Sequence, residues 1–400
     1  MPGTAPRVLV VVRKFPALYE TGVIDHVRGL VHTGWDVRLA CLELDVGLLA
    51  EHRELVASLP SIHVLGPDAV RPSSRLVRAA RLARAGRQVV RTRRSSLLRR
   101  SAYLAPALTR IVGAVRPDVV HAHWGQDALP AAAAAARHRV PLVAELHGFD
   151  ITTLVRADGW DAYREHLAVH TVLVHSEFAR GLVRDGIGVD PELIRYGVED
   201  AFRFTPRPST WPVPVRLASI GRLVPEKGHD TVLEAVAQVR ARRPALDVRL
   251  TIAGSGPSAG ELGRAAQRLG IADRVRFVGR LLPPGVAALL AATDVLLVAS
   301  RESEKGWVEA YGRIAAEGVA TGTAVVASRS GGLSDAVGDA GTLVEADDPV
   351  AIADALLALI DETAPDAVAR RTRAHAAMLT IDRYWDEMDA LDRRVAGMPR

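Results

Sequence analysis

The chain has 400 residues, 48% of them hydrophobic, which is enough apolar material for two cores. No apolar run reaches the roughly 18–20 residues of a membrane span, and no cleavable leader pattern precedes the first predicted strand. Cys41 is the single cysteine, which excludes an internal disulfide and favours a reducing compartment. We therefore predict a cytoplasmic protein.

The net charge of +5 hides a strong asymmetry, because residues 71–100 hold eleven arginines and no acid. From Arg78 to Arg94 the arginines recur every three or four positions, which predicts one basic face of a helix. The stretch Arg75–Arg100 is either a solvated surface or a peripheral contact with an anionic membrane, at the inner face, or with a phosphate-bearing acceptor. No aromatic residues are interleaved, so no nucleic-acid partner is expected.

Strand-like and helical segments alternate along almost the whole chain, which is typical of parallel sheets covered by helices. The predicted strands form two series: Val8–Val12, Asp36–Cys41, Val119–Ala122, Pro141–Leu146 and Thr171–His175, then Val215–Ile220, Val248–Ala253, Val275–Val278, Val295–Ala299 and Thr323–Ala327. A connector with four prolines, Phe202–Pro214, separates them. We predict two doubly wound α/β domains, residues 1–203 and 204–380, with a last helix at about 381–400 returning to the first.

Polar, glycine and histidine positions follow the predicted strands at their carboxyl ends. They include Thr21-Gly22, His121-Ala122-His123, His147-Gly148-Phe149-Asp150, Gly221-Arg222, Gly254-Ser255-Gly256 and Ser330-Gly331-Gly332. Open α/β sheets bind ligands at this edge, so we predict that these loops line one cleft.

The segment Glu309–Glu317 places two carboxylates eight positions apart around Gly312, between two apolar strands. Gly312 permits close approach of a ligand to the backbone, and the N–H groups at a helix start can hold an anion. Carboxylates accept hydrogen bonds from sugar or ribose hydroxyls. The pattern indicates a nucleotide-sugar site.

Arg222 and Lys227 follow a strand in the first loop of the second series. Lys227 is one of three lysines in an arginine-rich chain, which indicates a requirement of the site. Together the two cations can neutralise a diphosphate and stabilise its departure. An ordinary turn with two exposed cations is the alternative.

The histidines of the first half have a binding and a structural interpretation. His147, beside Gly148, is predicted to line the cleft and bond a sugar hydroxyl or share a proton, with Asp150 fixing it. His121 and His123 share one side of a strand, a spacing that can bind zinc, but no third ligand stands out. We therefore predict no metal and no cofactor.

These residues together resemble the retaining glycosyltransferases of family four, which have the GT-B fold. The paired glutamates carry most of the resemblance, supported by Gly331-Gly332, Gly221-Arg222 with Lys227-Gly228, Gly254-Ser255-Gly256-Pro257 and His147-Gly148. The loop from Lys14 to Gly22 lacks a glycine pair, and its Phe-Pro then Glu-Thr arrangement looks like a subgroup associated with surface polysaccharide assembly.

The resemblance implies a role for each matching position. The predicted catalytic residues are His147, Arg222, Lys227 and Glu309. The predicted donor-binding residues are Gly22, Asp150, Gly221, Gly254, Gly256, Arg280, Tyr311, Gly312, Arg313, Ile314 and Glu317. The predicted acceptor-binding residues are Phe15, Tyr19, Glu20, Thr21 and His123.

The function that we predict is retaining transfer of a sugar from a nucleotide-sugar, with UDP favoured over GDP, to an acceptor hydroxyl. The acceptor is a glycan, a lipid-linked molecule or a small molecule. A nucleotide-sugar epimerase, a glycoside phosphorylase and a non-catalytic sugar-nucleotide-binding subunit are the alternatives.

Overall fold

The computed structural model describes residues 5–17, 20–65 and 96–399. The chain forms two compact units. Unit 1 consists of Met1–His175, Ala179–Arg195 and Tyr384–Arg400, and unit 2 of Ser176–Phe178 and Tyr196–Arg383. Most of the arginine-rich stretch lies outside the described residues, and so does the helix face predicted there.

Unit 1 contains a seven-stranded parallel sheet in the order β3-β2-β1-β4-β5-β6-β7. Its central strands are buried on both faces, as near-continuous valine and leucine runs predict. The strands are β1 Arg7–Phe15, β2 Asp36–Leu44, β3 Ser61–Val64, β4 Val119–His123, β5 Leu142–Glu145, β6 Thr171–Val174 and β7 Glu192–Leu193.

Helices connect successive strands of unit 1. They are α1 Thr21–His32, α2 Val46–Leu49, α3 Arg53–Ser58, α4 Ser96–Val115, α5 Gly125–His138, α6 Val155–Asp158, α7 Asp161–Leu167 and α8 Glu177–Ile187. A π-type turn, Asp150–Leu154, precedes α6. The connections from β1 and from β4 diverge, which makes the gap beyond their carboxyl ends the topological switch point of this sheet.

Unit 2 repeats the design with a six-stranded parallel sheet in the order β10-β9-β8-β11-β12-β13. Its switch point lies between β8 and β11. The strands are β8 Val215–Ile220, β9 Val248–Ala253, β10 Val275–Gly279, β11 Val295–Val298, β12 Ala324–Ser328 and β13 Thr342–Val344. The helices are α9 His229–Arg242, α10 Ala259–Arg268, α11 Pro283–Ala291, α12 Arg313–Ala320, α13 Leu333–Val337, α14 Pro349–Glu362 and α15 Pro365–Ala376. The last helix, α16 Ile381–Val395, belongs to unit 1 from Tyr384 onward.

The observed sheets confirm the predicted fold class. Each of the ten predicted strands is present, with bounds that differ by a few residues at most. The sequence analysis missed β3, β7 and β13, which are edge strands of their sheets. Within the described part of the chain, no helix combines the length and the apolar character that crossing a bilayer requires.

Candidate functional site

An ion pair occupies the switch point of unit 2. Lys227, which ends the 3-10 turn Pro225–Lys227 after β8, pairs through Nζ with Oε2 of Glu309, which lies in the loop after β11. Lys227 Nζ also lies 4.9 Å from the centroid of the Trp307 ring. Both members of the ion pair are largely shielded, with 19% and 14% of their side chains exposed, so their interaction is only weakly screened.

The start of α12 stands next to Glu309. Gly312 caps this helix at φ +90°, and a Cβ there would meet a methyl carbon of Leu333 at 2.3 Å. The helix begins at Arg313, so Glu309 precedes it in the loop. The first N–H groups of α12 have no acceptor within the helix, and its dipole favours an anion there.

Glycines bring the surrounding loops into direct backbone contact. A Cβ at Gly331 would meet the carbonyl oxygen of Glu309 at 2.0 Å, and one at Gly254 would meet that of Gly221 at 1.8 Å. A Cβ at Gly256 would meet the carbonyl oxygen of Leu223 at 2.3 Å. Gly254 and Gly256, which we predicted to bind the donor, therefore hold the loop after β9 against the loop after β8.

A buried histidine that the sequence analysis missed supports the Arg222 loop. His229, at the start of α9, faces Ser219 Oγ at 2.9 Å with Nδ1 and the carbonyl oxygen of Arg222 at 3.1 Å with Nε2. Burial lowers the pKa of His229 to about 4, so the ring is neutral at pH 7. The side chain of Arg222 stays partly exposed, 3.8 Å from Glu226.

The remaining predicted donor residues of unit 2 fall into two groups. Glu317 lies on α12 with 13% of its side chain exposed and Arg313 at 3.9 Å, and Arg313 packs over Tyr196. Tyr311 is buried and makes an edge contact with Tyr196. Arg280 is exposed and follows the edge strand β10, two strands away from β8. The structure therefore groups all of these residues except Arg280 near the switch point.

Unit 1 contains a buried network of five histidines and two carboxylates. Its members are His26 on α1, His121 and His123 on β4, Glu145 on β5, His147 and His175 in the loops after β5 and β6, and Asp392 on α16. The sequence analysis named only part of this set. His26, His175 and Asp392 belong to no motif, and only the fold brings them together.

Hydrogen-bond geometry defines the charges in this network. The His121 ring faces Asp392 at 2.9 Å and Glu145 at 3.1 Å, so both ring nitrogens donate and the ring is an imidazolium. Burial opposes this state, but the charges of Asp392 and Glu145 outweigh it and raise the pKa of His121 to about 9. His175 likewise directs its nitrogens at Glu145 (2.8 Å) and at the carbonyl oxygen of Ile194 (2.6 Å). The positive charge of His121 thus lies between the two carboxylates, and His175 holds Glu145 from another side.

A second chain of contacts leads from Asp392 to His147. Asp392 lies 3.4 Å from His26, His26 lies 3.0 Å from His123, and His123 lies 3.3 Å from His147. Burial lowers the pKa of His26 to about 4 and that of His147 to about 3, so both are neutral at pH 7. The neutral rings can each donate one hydrogen bond and accept one along this chain.

The same side chains form a possible metal donor set. His26, His121, His123 and Glu145 each present an atom within 4.8 Å of the others, and three imidazoles with one carboxylate suit zinc. His26 on α1 and Glu145 on β5 are therefore the further ligands that the sequence did not reveal beside His121 and His123. Hydrogen bonds already engage the ring nitrogens, and the absence of a metal stays a prediction.

The other predicted residues of unit 1 have varied surroundings. Phe15 and His123 are fully buried, Gly22 is buried on α1, and Glu20 and Thr21 are partly buried before and at the start of α1. Tyr19 lies outside the described residues. Asp150 accepts from the backbone N–H of His147 at 3.1 Å, so it fixes the loop instead of the ring.

Two family models together match most of the chain. The Glycosyltransferase Family 4 model matches residues 19–202, and the Glycosyl transferases group 1 model matches residues 214–362. A D-inositol 3-phosphate glycosyltransferase 2 of Catenulispora acidiphila is 32% identical, over 67% of this chain and 70% of its own. The two sheets have the GT-B architecture, and the chain belongs to glycosyltransferase family four.

Other relatives are similar over less of their own length. A glycogen synthase of Mycobacterium tuberculosis is 33% identical over 68% of this chain, which spans 66% of that protein, just under two thirds. Among solved structures, a glycosyltransferase of Rickettsia africae has a TM-score of 0.73 at 16% identity, covering 98% of this chain and 99% of its own. Anabaena Alr3699/HepE in complex with UDP and glucose has a TM-score of 0.72 at 17% identity, covering 96% and 99%.

Proposed function

We propose that the protein transfers a sugar from a nucleoside diphosphate sugar to an acceptor hydroxyl, with retention of the anomeric configuration and without a metal. One observation carries the proposal: Lys227, Glu309 and the start of α12 converge at the switch point of unit 2. A cation and a helix N-terminus suit a diphosphate, and the carboxylate suits sugar hydroxyls.

The chemistry follows from these three groups. Charge develops on the diphosphate as the glycosidic bond breaks, and Lys227, Arg222 and the N–H groups of α12 stabilise that charge. The departing phosphate accepts the proton of the acceptor hydroxyl. Retention of configuration rests on the family resemblance. The roles of His147 and Gly22 toward the donor, and of Glu317 toward the ribose, stay predictions.

UDP is the nucleotide that we propose, because a solved structure with the same fold was obtained with UDP and glucose. GDP is the alternative nucleotide. The pathway that we propose is the synthesis of a polysaccharide, a glycolipid or a glycosylated metabolite.

Donor binding tests the proposal directly. Purified protein is titrated calorimetrically with UDP, GDP and ADP and their glucose conjugates, in the presence and absence of EDTA. We expect one nucleotide to bind at least tenfold more tightly than the others, with no loss on adding EDTA, and proton NMR of the product to show an α-linkage. Binding of none of them, or epimerised donor without transfer, would contradict the proposal.

A further inference from the structure

A buried carboxylate without hydrogen bonds lies at the switch point of unit 1. Asp127, in the first turn of α5, is 2% exposed, and neither of its oxygens has a hydrogen-bond partner among the described residues. Burying a carboxylate without hydrogen bonds is energetically unfavourable. Because α5 follows β4 directly, Asp127 stands where open α/β sheets bind their ligands.

An arginine next to Asp127 is also incompletely paired. Arg100, on α4, places Nη2 3.7 Å from Asp127 Oδ1, which is an ion-pair distance too long for a hydrogen bond. Arg100 Nε and Nη2 have no hydrogen-bond partner within the described part of the chain. The two charged groups therefore face each other at a distance that one hydroxyl, hydrogen-bonded to both, can bridge.

Gln126 holds this arrangement in place. Its Oε1 accepts from Nη1 of Arg13, at 2.8 Å, and from Nη1 of Arg100, at 3.1 Å. One hydrogen bond to Gln126 thus holds each of the two guanidinium groups in place. Nη2 of Arg100 faces Asp127, and both Nη2 and Nε have no hydrogen-bond partner among the described residues.

Two further residues complete the surroundings. Trp124, just before α5, has φ +70°, a strained value for a residue with a side chain, and such strain concentrates at functional sites. Its indole ring lies 4.4 Å from the His147 ring. Among the described residues, Glu20 Oε2 is buried without a hydrogen-bond partner, and burial raises the pKa of Glu20 to about 7.

The opposite charges of Asp127 and Arg100 determine which kind of ligand can bind between them. A hydroxyl can donate to Asp127 and accept from Arg100 at the same time. A phosphate at neutral pH offers mainly acceptors, so it would satisfy Arg100 but face the carboxylate of Asp127. A simple cation would satisfy Asp127 and face Arg100. A neutral polyol with an aromatic neighbour fits this combination of groups.

We propose that Asp127 and Arg100, positioned by Gln126, bind a hydroxyl pair of a neutral sugar or cyclitol that serves as the acceptor. This inference rests on the proposed transferase function and names the class of its acceptor. Arg13 and Gln126 are positioning residues, because they act through the guanidinium of Arg100.

The test separates acceptor binding from donor binding. Wild-type protein is titrated calorimetrically with methyl α-D-glucopyranoside and myo-inositol, then with glucose 6-phosphate and inositol 3-phosphate, with the nucleotide present. We expect a neutral polyol to bind. Asp127→Asn and Arg100→Gln should weaken that binding by about tenfold to hundredfold, the effect of losing hydrogen bonds to a charged group.

Matched variants at exposed positions control for general effects. Arg137→Gln, on the same helix as Asp127, and Asp161→Asn, whose side chain is 94% exposed, should bind the polyol like the wild type. The nucleotide Kd of every variant is measured in parallel and should stay within about twofold, since these residues belong to unit 1.

Three results would overturn the acceptor proposal. They are wild-type polyol affinity in both test variants, binding of phosphorylated probes alone, and no binding of any of the four probes at about 10 mM. In each case, a normal nucleotide Kd would contradict only the acceptor proposal and not the proposed transferase function. If the wild-type protein bound no nucleotide, both proposals would be contradicted.

Discussion

Lys227 and Glu309 have a role in the free protein and a proposed role in the donor-bound protein. In the free protein the lysine neutralises the glutamate, and Trp307 covers one side of the ammonium group. An ammonium group has three N–H donors, so Lys227 can keep its contact with Glu309 and still bind a phosphate oxygen. The ion pair therefore holds Lys227 in position before the donor arrives.

Lys227→Ala is expected to lower kcat/KM for the donor by about a hundredfold to a thousandfold, the usual cost of removing a group that stabilises transition-state charge. Steady-state kinetics with the preferred nucleotide-sugar measure the effect. Lys305→Ala is the matched control, because Lys305 is an exposed lysine of the same unit. Equal rates in the two variants would refute the diphosphate role of Lys227.

Sequence reasoning located these residues because their types are unusual in their context. A lysine in an arginine-rich chain and two carboxylates placed around a glycine between apolar strands both indicated chemistry. His229 and Asp392 gave no such signal, since each is an ordinary residue within a helical pattern. Their partners are 7 to 10 and 271 to 366 positions away, and the longer separations cannot be read without the fold.

The strands that the sequence identified most clearly are the buried ones at the centre of each sheet. The central strands are apolar runs buried on both faces, so their sequences identify them. The missed strands, Ser61–Val64, Glu192–Leu193 and Thr342–Val344, have two to four residues and lie at sheet edges. With so few residues and partial exposure, they carry no hydrophobic pattern long enough to recognise.

Arg207 anchors the proline-rich connector, together with hydrogen bonds from the Thr205 N–H and the Trp211 indole N–H. Arg207 donates to the carbonyl oxygens of residues at the C-terminal ends of α11 and α12, and to a threonine hydroxyl: Leu290, Ala291, Thr293, Thr321, Gly322 and Thr323. The last carbonyls of a helix lack partners within the helix. One guanidinium therefore caps two helices and fixes the connector.

Arg207→Ala should lower the free energy of unfolding by about 2–4 kcal/mol, because several buried carbonyls lose their donor. Arg207→Lys should recover little, since an ammonium group cannot reproduce the planar fork of donors. Urea denaturation measures both. Arg203→Ala is the control, because exposed Arg203 makes a single hydrogen bond to the Asp200 carbonyl. A loss below about 1 kcal/mol in Arg207→Ala would contradict this role.

At the scale of the whole molecule, each unit has one switch point with its own set of charged groups. That of unit 2 holds Lys227 and Glu309, and that of unit 1 holds Asp127 and Arg100. The alternation of strands and helices was sufficient to predict both sheets. The hydrogen-bond and ion-pair partners of the side chains at each switch point depend on where the helices lie. No sequence pattern specifies those helix positions.

The last helix makes the stability of unit 1 depend on pH. The pKa of His121, raised to about 9, lies above the value of roughly 6.5 in an unfolded chain. The stabilisation is thus complete below about pH 6.5 and is lost as the pH rises through 9. We expect the free energy of unfolding, measured in urea, to fall between pH 7 and pH 9.5 by up to about 1.4 kcal/mol per pH unit.

Asp392→Asn should remove most of this slope and cost about 3–5 kcal/mol at pH 7, because it leaves a buried imidazolium with one carboxylate fewer. Asp386→Asn is the matched control, since Asp386 is exposed on the same helix. An unchanged slope in Asp392→Asn would show that another group causes the pH dependence.

The position of Asp392 also bears on how the protein is synthesised. Unit 2 is nearly continuous along the chain, whereas unit 1 requires both the first 195 residues and Tyr384–Arg400. While the ribosome is still translating unit 2, the nascent unit 1 holds its histidines without the carboxylate that balances them. Domains usually complete folding in the order of their synthesis. Here the unit that is begun first is completed last.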